Sequence, residues 1–477
     1  MRLADRLRFM QDRVLALPVV GISVALPVAV TILGFASHHA SVLRYLLPAM
    51  LPICAAAIWF RNRSAYFGFL LAVWFFIPFL RRLVDYSAGP VDPNPMLLAP
   101  YLTTLAVPLL RIRTFLAAPI ARVLPFVLCY VGIGIGLATG LFSYQATSVV
   151  HDCLNWITPV AFAAFLTLEG PREYSSSLQK WFPLLLVVCA VYTLLQFAFV
   201  FPWDIAWLVS LDAPSQGATD PFTLRAFGLL NSAGTAAFVL AAGSLFILNL
   251  RRWWRLPAFF LTVLALLTTQ VRAGWLVLAI GVLVSFCKSP KAIGAAVGIL
   301  AVLGMSLSIL GLQKSNQNIS DRLSSFEHPG DDDSANGRMV GYQAAWDDLQ
   351  VHPLGRGLGV PEDLFDIQGS FSLLDSAPIH LLATFGWIGG AAYCCGFLLL
   401  LVPILRGLAF SDDRTFLVTA IPAVSLTCVF LFGSITVALS GFLIWSFLPP
   451  SLVSLGEGAP EKLPVLVRAS EPLRGFR

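Results

Sequence analysis

The sequence predicts an all-α polytopic membrane protein of about 12–14 transmembrane helices, with one long polar loop inserted late in the chain. Three observations carry this. First, 57% of the 477 residues are hydrophobic and only 12% are charged, against roughly a quarter charged in a soluble domain. Second, the apolar residues fall into long runs separated by short basic clusters. Third, Gln313–Ser376 is the one long polar stretch, and a new apolar run starts directly after it. The whole of 1–477 therefore reads as a single integral membrane domain, with residues 313–376 as a loop between spans. The net charge of +5 is spread over short clusters, so it points to no nucleic-acid partner.

Taken in order, the runs are Leu17–Ser37, Val42–Phe60, Ala65–Leu80, Met96–Leu110, Val123–Leu141, Val149–Leu168, Trp181–Phe201, Ala226–Leu250, Leu256–Thr269, Ala273–Cys287, Ala292–Leu312, Ala377–Leu405, Phe416–Phe432 and Ile435–Val453. The first follows the basic segment MRLADRLRFMQDR. It is too long for a signal-peptide core and shows no small-residue cleavage site, so it reads as a retained span. The eight cysteines lie in or at the ends of apolar runs and form no metal or disulfide pattern.

Loop charge sets the orientation, because Lys and Arg accumulate on the cytoplasmic side. With the N-terminus inside, 22 of the 31 bases fall in cytoplasmic segments and both termini are cytoplasmic. Nine bases fall outside or in the membrane: Arg44, Arg81, Arg82, Arg225, Arg272, Lys314, Arg322, Arg338 and Arg356. Arg44, Arg81 and Arg82 are expected to snorkel at span ends. The others need a specific reason to sit where they do.

Arg272 interrupts the run Leu256–Cys287, whose two flanks, RRWWR and KSPK, are both basic. The run must go out and come back, with Arg272 near its tip. Half of it, about 16 residues at ~1.5 Å each, falls short of the ~30 Å hydrocarbon core. An arginine held there is costly unless an anion or a wet cavity meets it. The competing reading is a snorkelling side chain on a tilted hairpin. Arg225 ends a polar outer segment in TLRAFGLLNSAGTAA, with Asn231, Ser232 and Gly234 just inside the next run. An interfacial anchor and an anion-binding role are equally open there.

In the long loop, SANGRMVGYQAAWDDLQVHPLGRGLGV predicts one amphipathic helix starting near Gly337 under an Asn336 cap. Met339, Tyr342, Trp346 and Leu349 share a face at helical spacing. Arg338 sits in its first turn, where the dipole favours a nearby anion. Asp331, Asp332 and Asp333 next to it allow a plain solvated arginine instead. The aspartates lack the spacing of a calcium loop. HPLGRGLGV lacks the Lys-Ser/Thr of a Walker loop and reads as a tight turn carrying Arg356. His380 opens the following span after DSAP, where Asp375 or Ser376 can cap the helix. A histidine at that boundary can take a proton near neutral pH, or simply sit at the interface.

These segments together resemble the O-antigen ligase/polymerase superfamily. QVRAGW with Arg272 is similar to its short arginine tip. GRMVGYQAAWDDLQVHPLGRGLG is similar to its loop helix, opened by Arg338 and closed by P-x-G-x-G. IHLLATFGWIGG with His380 is similar to its histidine before spaced glycines, and RAFGLLN to its R-x-x-G…N. Two positions depart from the family pattern: Leu381 stands where Asn is usual, and Val271 where Ser is usual.

The resemblance implies a bacterial inner-membrane enzyme with a periplasmic site. It implies inverting, metal-independent glycosyl transfer without a cofactor, from an undecaprenyl-diphosphate-linked glycan to a sugar hydroxyl. The acceptor is another lipid-linked glycan or lipid A-core, with a protein hydroxyl as a third alternative, in O-antigen or exopolysaccharide assembly, with the bilayer and a chain-length regulator as further partners. Arg272 and Arg338 would stabilise the leaving diphosphate. Arg225, Asn231 and Arg356 would bind substrate, and His380 would act as base or orient the acceptor. The competing class is a lipid-linked oligosaccharide transporter or flippase. A proton-coupled transporter needs an acid in mid-membrane, and only Asp152 lies within a predicted span, near its outer end.

Overall fold

The computed structural model describes residues 3–211, 219–288, 294, 333–361, 363–365, 373, 376–428, 430, 433 and 438–458. All regular structure among them is helical. The helices are α1 Leu3–Ala36, α2 Leu43–Arg61, α3 Arg63–Ala88, α4 Leu98–Leu110, α5 Ile112–Leu116, α6 Ile120–Ser143, α7 Ala146–Leu168, α8 Pro171–Phe199, α9 Pro202–Leu211, α10 Ala233–Asn249, α11 Arg255–Thr268, α12 Arg272–Lys288, α13 Asp333–Val351, α14 Ala377–Phe410, α15 Arg414–Cys428 and α16 Ala438–Gly458. Seven stretches among the described residues are long and apolar enough to cross a membrane, in α1, α2, α3, α6, α7, α8 and α14. Shorter apolar helices accompany them, α10, α11 and α15 among these. The chain is an all-α polytopic membrane protein. The run Ala292–Leu312 apart from residue 294, the first part of the long loop and the C-terminal segment lie outside the described residues.

α10 is the centre of the bundle. Every residue from Ala236 to Leu248 is buried, as expected of a helix that is apolar on all sides. It packs on α8, α11, α12, α15 and α16. It starts later than its apolar run, because 226–232 is not helical. Gly228 has φ +58°, and its N–H and that of Phe227 donate to Gln196 Oε1 at 2.8 and 2.9 Å. Arg82 holds the Gly228 carbonyl from the other side while pairing with Asp204. Arg82 and Asp204 are both 0% exposed. Arg82 therefore does not snorkel; a buried partner makes its charge tolerable in the interior. Arg44 and Arg81 are likewise buried, and both bind Asp85.

The other close contact is between α6 and α14. A Cβ at Gly132 would lie 2.5 Å from the Gly389 carbonyl oxygen, and one at Gly136 would lie 2.5 Å from Phe385. Small residues spaced by four let the two backbones approach, as in other membrane helix pairs.

Candidate active site

His380 sits on a short helical piece of its own. α14 breaks at Gly386, with φ +64° and ψ −165°. The break leaves carbonyls without helical partners. The turn after α13 supplies them: Arg356 N–H donates to Ala383 O at 2.7 Å and Gly357 N–H to Thr384 O at 3.1 Å. Past the break, Trp387 N–H donates to Pro353 O at 2.9 Å. The same turn reaches α6 through Leu358 N–H to Gly136 O at 2.8 Å, and α7 through Gly359 N–H to Asp152 Oδ2 at 2.9 Å. The sequence HPLGRGLGV is thus a tight turn, as expected. Gly355, Gly357 and Gly359 have φ of +77°, +95° and +86°, open to glycine at little cost. A Cβ at Gly357 would also overlap the Gly140 backbone.

The segment 377–385 is fixed by this turn, and His380 is 5% exposed. Its ring lies 5.0 Å from that of Trp156 on α7. Ser376 occupies the N-cap position, but its side chain makes no cap hydrogen bond.

His380 lines a cleft of about 500 Å³, within the range of small-molecule sites. The cleft lies where α4, α7, α10, α14 and α16 begin. Its walls include Trp74 and Pro78 of α3, Tyr101 of α4, His151, Asp152 and Asn155 of α7, Asn231 and Thr235 at the start of α10, and Gly359 and Pro361 of the turn. Of the six residues expected to act, His380 and Asn231 share this cleft.

Arg225, Arg272 and Arg356 are not among the described residues that line it. Ala226 N–H donates to Thr268 O at 3.1 Å, which ties the Arg225 segment to the tip that carries Arg272. That tip is the expected hairpin: α11 ends at Thr268, Gln270 takes φ +55°, and Arg272 opens α12. Both arginines are half-buried, and residues 225–231 connect them to the cleft. Arg356 instead grips Asp348 of α13, its Nε lying 3.1 Å from each carboxylate oxygen. This hydrogen bonding raises the guanidinium pKa further above its ordinary value.

Arg338 lies on α13, and its side chain is outside the described residues. α13 starts at Asp333, four residues before the expected start. Of the expected face Leu349 is buried and Tyr342 half-buried, but Met339 and Trp346 are 67% and 56% exposed, and the buried line runs through Gly341, Ala345 and Leu349. Small residues win because the helix lies close against the start of α14, where Ala345 and Ala383 share a small core with Val360 and Leu373. Trp346 meets Trp387 edge-on at 5.5 Å.

The α7 contribution was not anticipated as part of a site. Thr147, Ser148, His151, Asp152 and Asn155 all line the cleft. Their spacing follows a helix face, so a polar stripe in an otherwise apolar span was the available signal. Among the described residues, no three His, Cys, Asp or Glu side chains cluster as metal ligands would.

The arginine tip, the loop helix, the glycine turn and the histidine segment all fall within one matched stretch. Residues 257–394 match the O-antigen ligase family. The matched stretch contains Arg272, Arg338, Arg356 and His380, and it covers under a third of the chain. Arg225, Asn231 and the α7 stripe lie outside it. Nothing among curated proteins or solved structures matches this chain. The ligase-family match supports glycosyl transfer in O-antigen or polysaccharide assembly, by a multi-pass membrane protein.

Proposed function

We propose that this protein transfers a glycan from a polyprenyl diphosphate, of the undecaprenyl type, to a sugar hydroxyl at the periplasmic face, with inversion and without a metal. The supporting observation is that the ligase-family segment contains Arg272 and His380, and that the cleft lined by His380 adjoins the Arg225–Arg272 neighbourhood. In the reaction, the acceptor oxygen attacks the anomeric carbon. The bond from that carbon to the diphosphate oxygen breaks, and the acceptor proton goes to His380. Charge growing on the leaving diphosphate is met by Arg272 and Arg338, with Arg225 assisting. Guanidinium forks pair with phosphate oxygens and stay charged throughout. Arg356, already bound to Asp348, holds the turn that fixes the His380 segment. The acceptor is most simply another lipid-linked repeat unit, which makes the protein a polymerase of surface or secreted polysaccharide; lipid A-core would make it a ligase.

Arg→Ala at position 272 or 338 should abolish long-chain glycan while the protein still accumulates in the membrane. Arg→Lys should rescue poorly, since a point charge cannot reproduce the fork. Arg322→Ala, in the same loop, is the control. Equal loss from all three substitutions would remove the diphosphate site from this reading.

One observation favours the second reading, transport of a lipid-linked glycan: Asp152 lies in a span and lines a polar cleft. Transport would move the donor across a bilayer without consuming it, which separates the two readings in a purified system.

A further inference from the structure

The polar stripe of α7 faces the same cleft as His380 but carries the wrong charge for a diphosphate. Among the described residues lining the cleft there is no lysine or arginine, and Asp152 is the one carboxylate. A lipid diphosphate would meet repulsion there, whereas an uncharged, hydroxyl-rich ring would not. The stripe is also built for such a ring. The Tyr101 hydroxyl donates to Asn155 Oδ1, which orients the amide and leaves its N–H groups as donors. Asp152 spends one oxygen on Gly359 N–H at 2.9 Å, and a carboxylate has about four lone-pair sites. Thr147 and Ser148 add hydroxyls, and across the cleft Asn231 Oδ1 is buried with no hydrogen-bond partner. Trp74, held by its N–H to Thr104 at 2.9 Å, and Pro78 supply an apolar wall.

We infer that the α7 face, with Asp152 and Asn155 as its principal hydrogen-bonding groups and Tyr101 as the residue that orients Asn155, is a binding subsite for one neutral sugar ring. This rests on the glycosyl-transfer reading and adds to it the position of the glycan relative to the arginines. The ring has two sources of the same chemistry: the terminal sugar of the acceptor, or the first sugar of the donor.

The test uses the purified full chain in lipid nanodiscs, with lipid-linked glycan from the native cell as donor and acceptor. Asn155→Ala and Asp152→Asn should raise the KM for one glycan substrate by about 5- to 100-fold, the range for stranding a buried hydrogen-bond partner. Asp152→Asn keeps an oxygen for Gly359, and Tyr101→Phe removes only the hydroxyl. Both should keep the thermal midpoint of the parent and still raise KM. Inhibition by undecaprenyl diphosphate without sugar should be unchanged in all three. A rise in acceptor KM assigns the subsite to the acceptor, and a rise in donor KM alone assigns it to the donor sugar. Unchanged KM for both, or parallel weakening of inhibition by the bare lipid diphosphate, would overturn the subsite.

A second probe separates this inference from the reaction itself. Oligosaccharide released from the lipid-linked glycan by mild acid should show saturation-transfer contacts with the parent protein and lose them in Asn155→Ala. If no transfer is seen in any protein but these contacts are, the transfer reading fails and the subsite stands. If transfer is seen and the contacts are insensitive to Asn155, the subsite fails alone.

Discussion

His380 is held more tightly than a boundary histidine needs to be. It is nearly enclosed, lies against Trp156, and sits on nine residues between the helix start at Ala377 and the break at Gly386. A group fixed this way keeps one geometry toward the cleft, which is what a base acting on a positioned hydroxyl requires. Replacing it by alanine should cut turnover by about 10²–10⁴, while binding of the lipid diphosphate, which the proposed function assigns to the arginines, should be kept. Purified His380→Ala protein with turnover near the parent value would refute the base assignment. His380 and Arg272 are legible as candidates in the sequence because each interrupts or borders an apolar run, and Arg338 because it is a lone cation at the start of a helix in an acidic stretch. Asp152 was noticed only as an acid in a span. Asn155 and Tyr101 were not singled out, because their meaning depends on each other and on a turn some 200 residues later. Arg82 was misjudged for the same reason: its partner Asp204 is distant in sequence, and only packing reveals that the charge is paired.

At the scale of elements, the glycine turn 353–360 carries more than its length suggests. It satisfies the carbonyls at the α14 break, bridges to α6 and α7, and anchors Arg356 to α13. That a turn lies here was legible from glycine spacing. What it joins was not, since its partners on α6 and α14 are backbone groups, which leave no mark in sequence, and its α7 partner, the Asp152 carboxylate, is 207 residues away. α13 shows a related limit of pattern reading. Its apolar residues suggest one face, but of these only Leu349 is buried, and close packing sets Gly341 and Ala345 beside it. Gly357→Ala should be among the most damaging changes in the loop. It places a side chain at φ +95° and against the Gly140 backbone, and positions of this kind cost of order 1–3 kcal/mol each. The prediction is a lower thermal midpoint in detergent together with lost transfer. A Gly357→Ala protein of parent stability and activity would show that the turn does not fix the His380 segment.

Across the described residues, thirteen of the fourteen apolar runs coincide with helices, and the fourteenth, Ala292–Leu312, lies outside them apart from residue 294. Hydropathy reads this well because a span must satisfy its backbone internally, so apolar length and helix length are coupled. The cleft was not legible in the same way: it is assembled from the starts of helices far apart in the chain. Sidedness rests on loop charge, 22 bases against nine. A Ser334→Cys protein, with exposed Cys287, Cys395 and Cys428 replaced, should react with an impermeant thiol reagent added from the periplasmic side. Labelling only after the inner membrane is broken would reverse the orientation and put the cleft on the cytoplasmic face.

The central claim is that the protein breaks a glycan–diphosphate bond and makes a glycosidic one. Both products can be counted in one assay, with purified protein, lipid-linked glycan from the native cell, and chelator present. Inverting transfer by arginines and a histidine predicts one undecaprenyl diphosphate released for each new glycosidic bond, unaffected by chelator and absent in Arg272→Ala. Donor that crosses a vesicle membrane intact with no diphosphate released, or release that requires added magnesium or manganese, would contradict it.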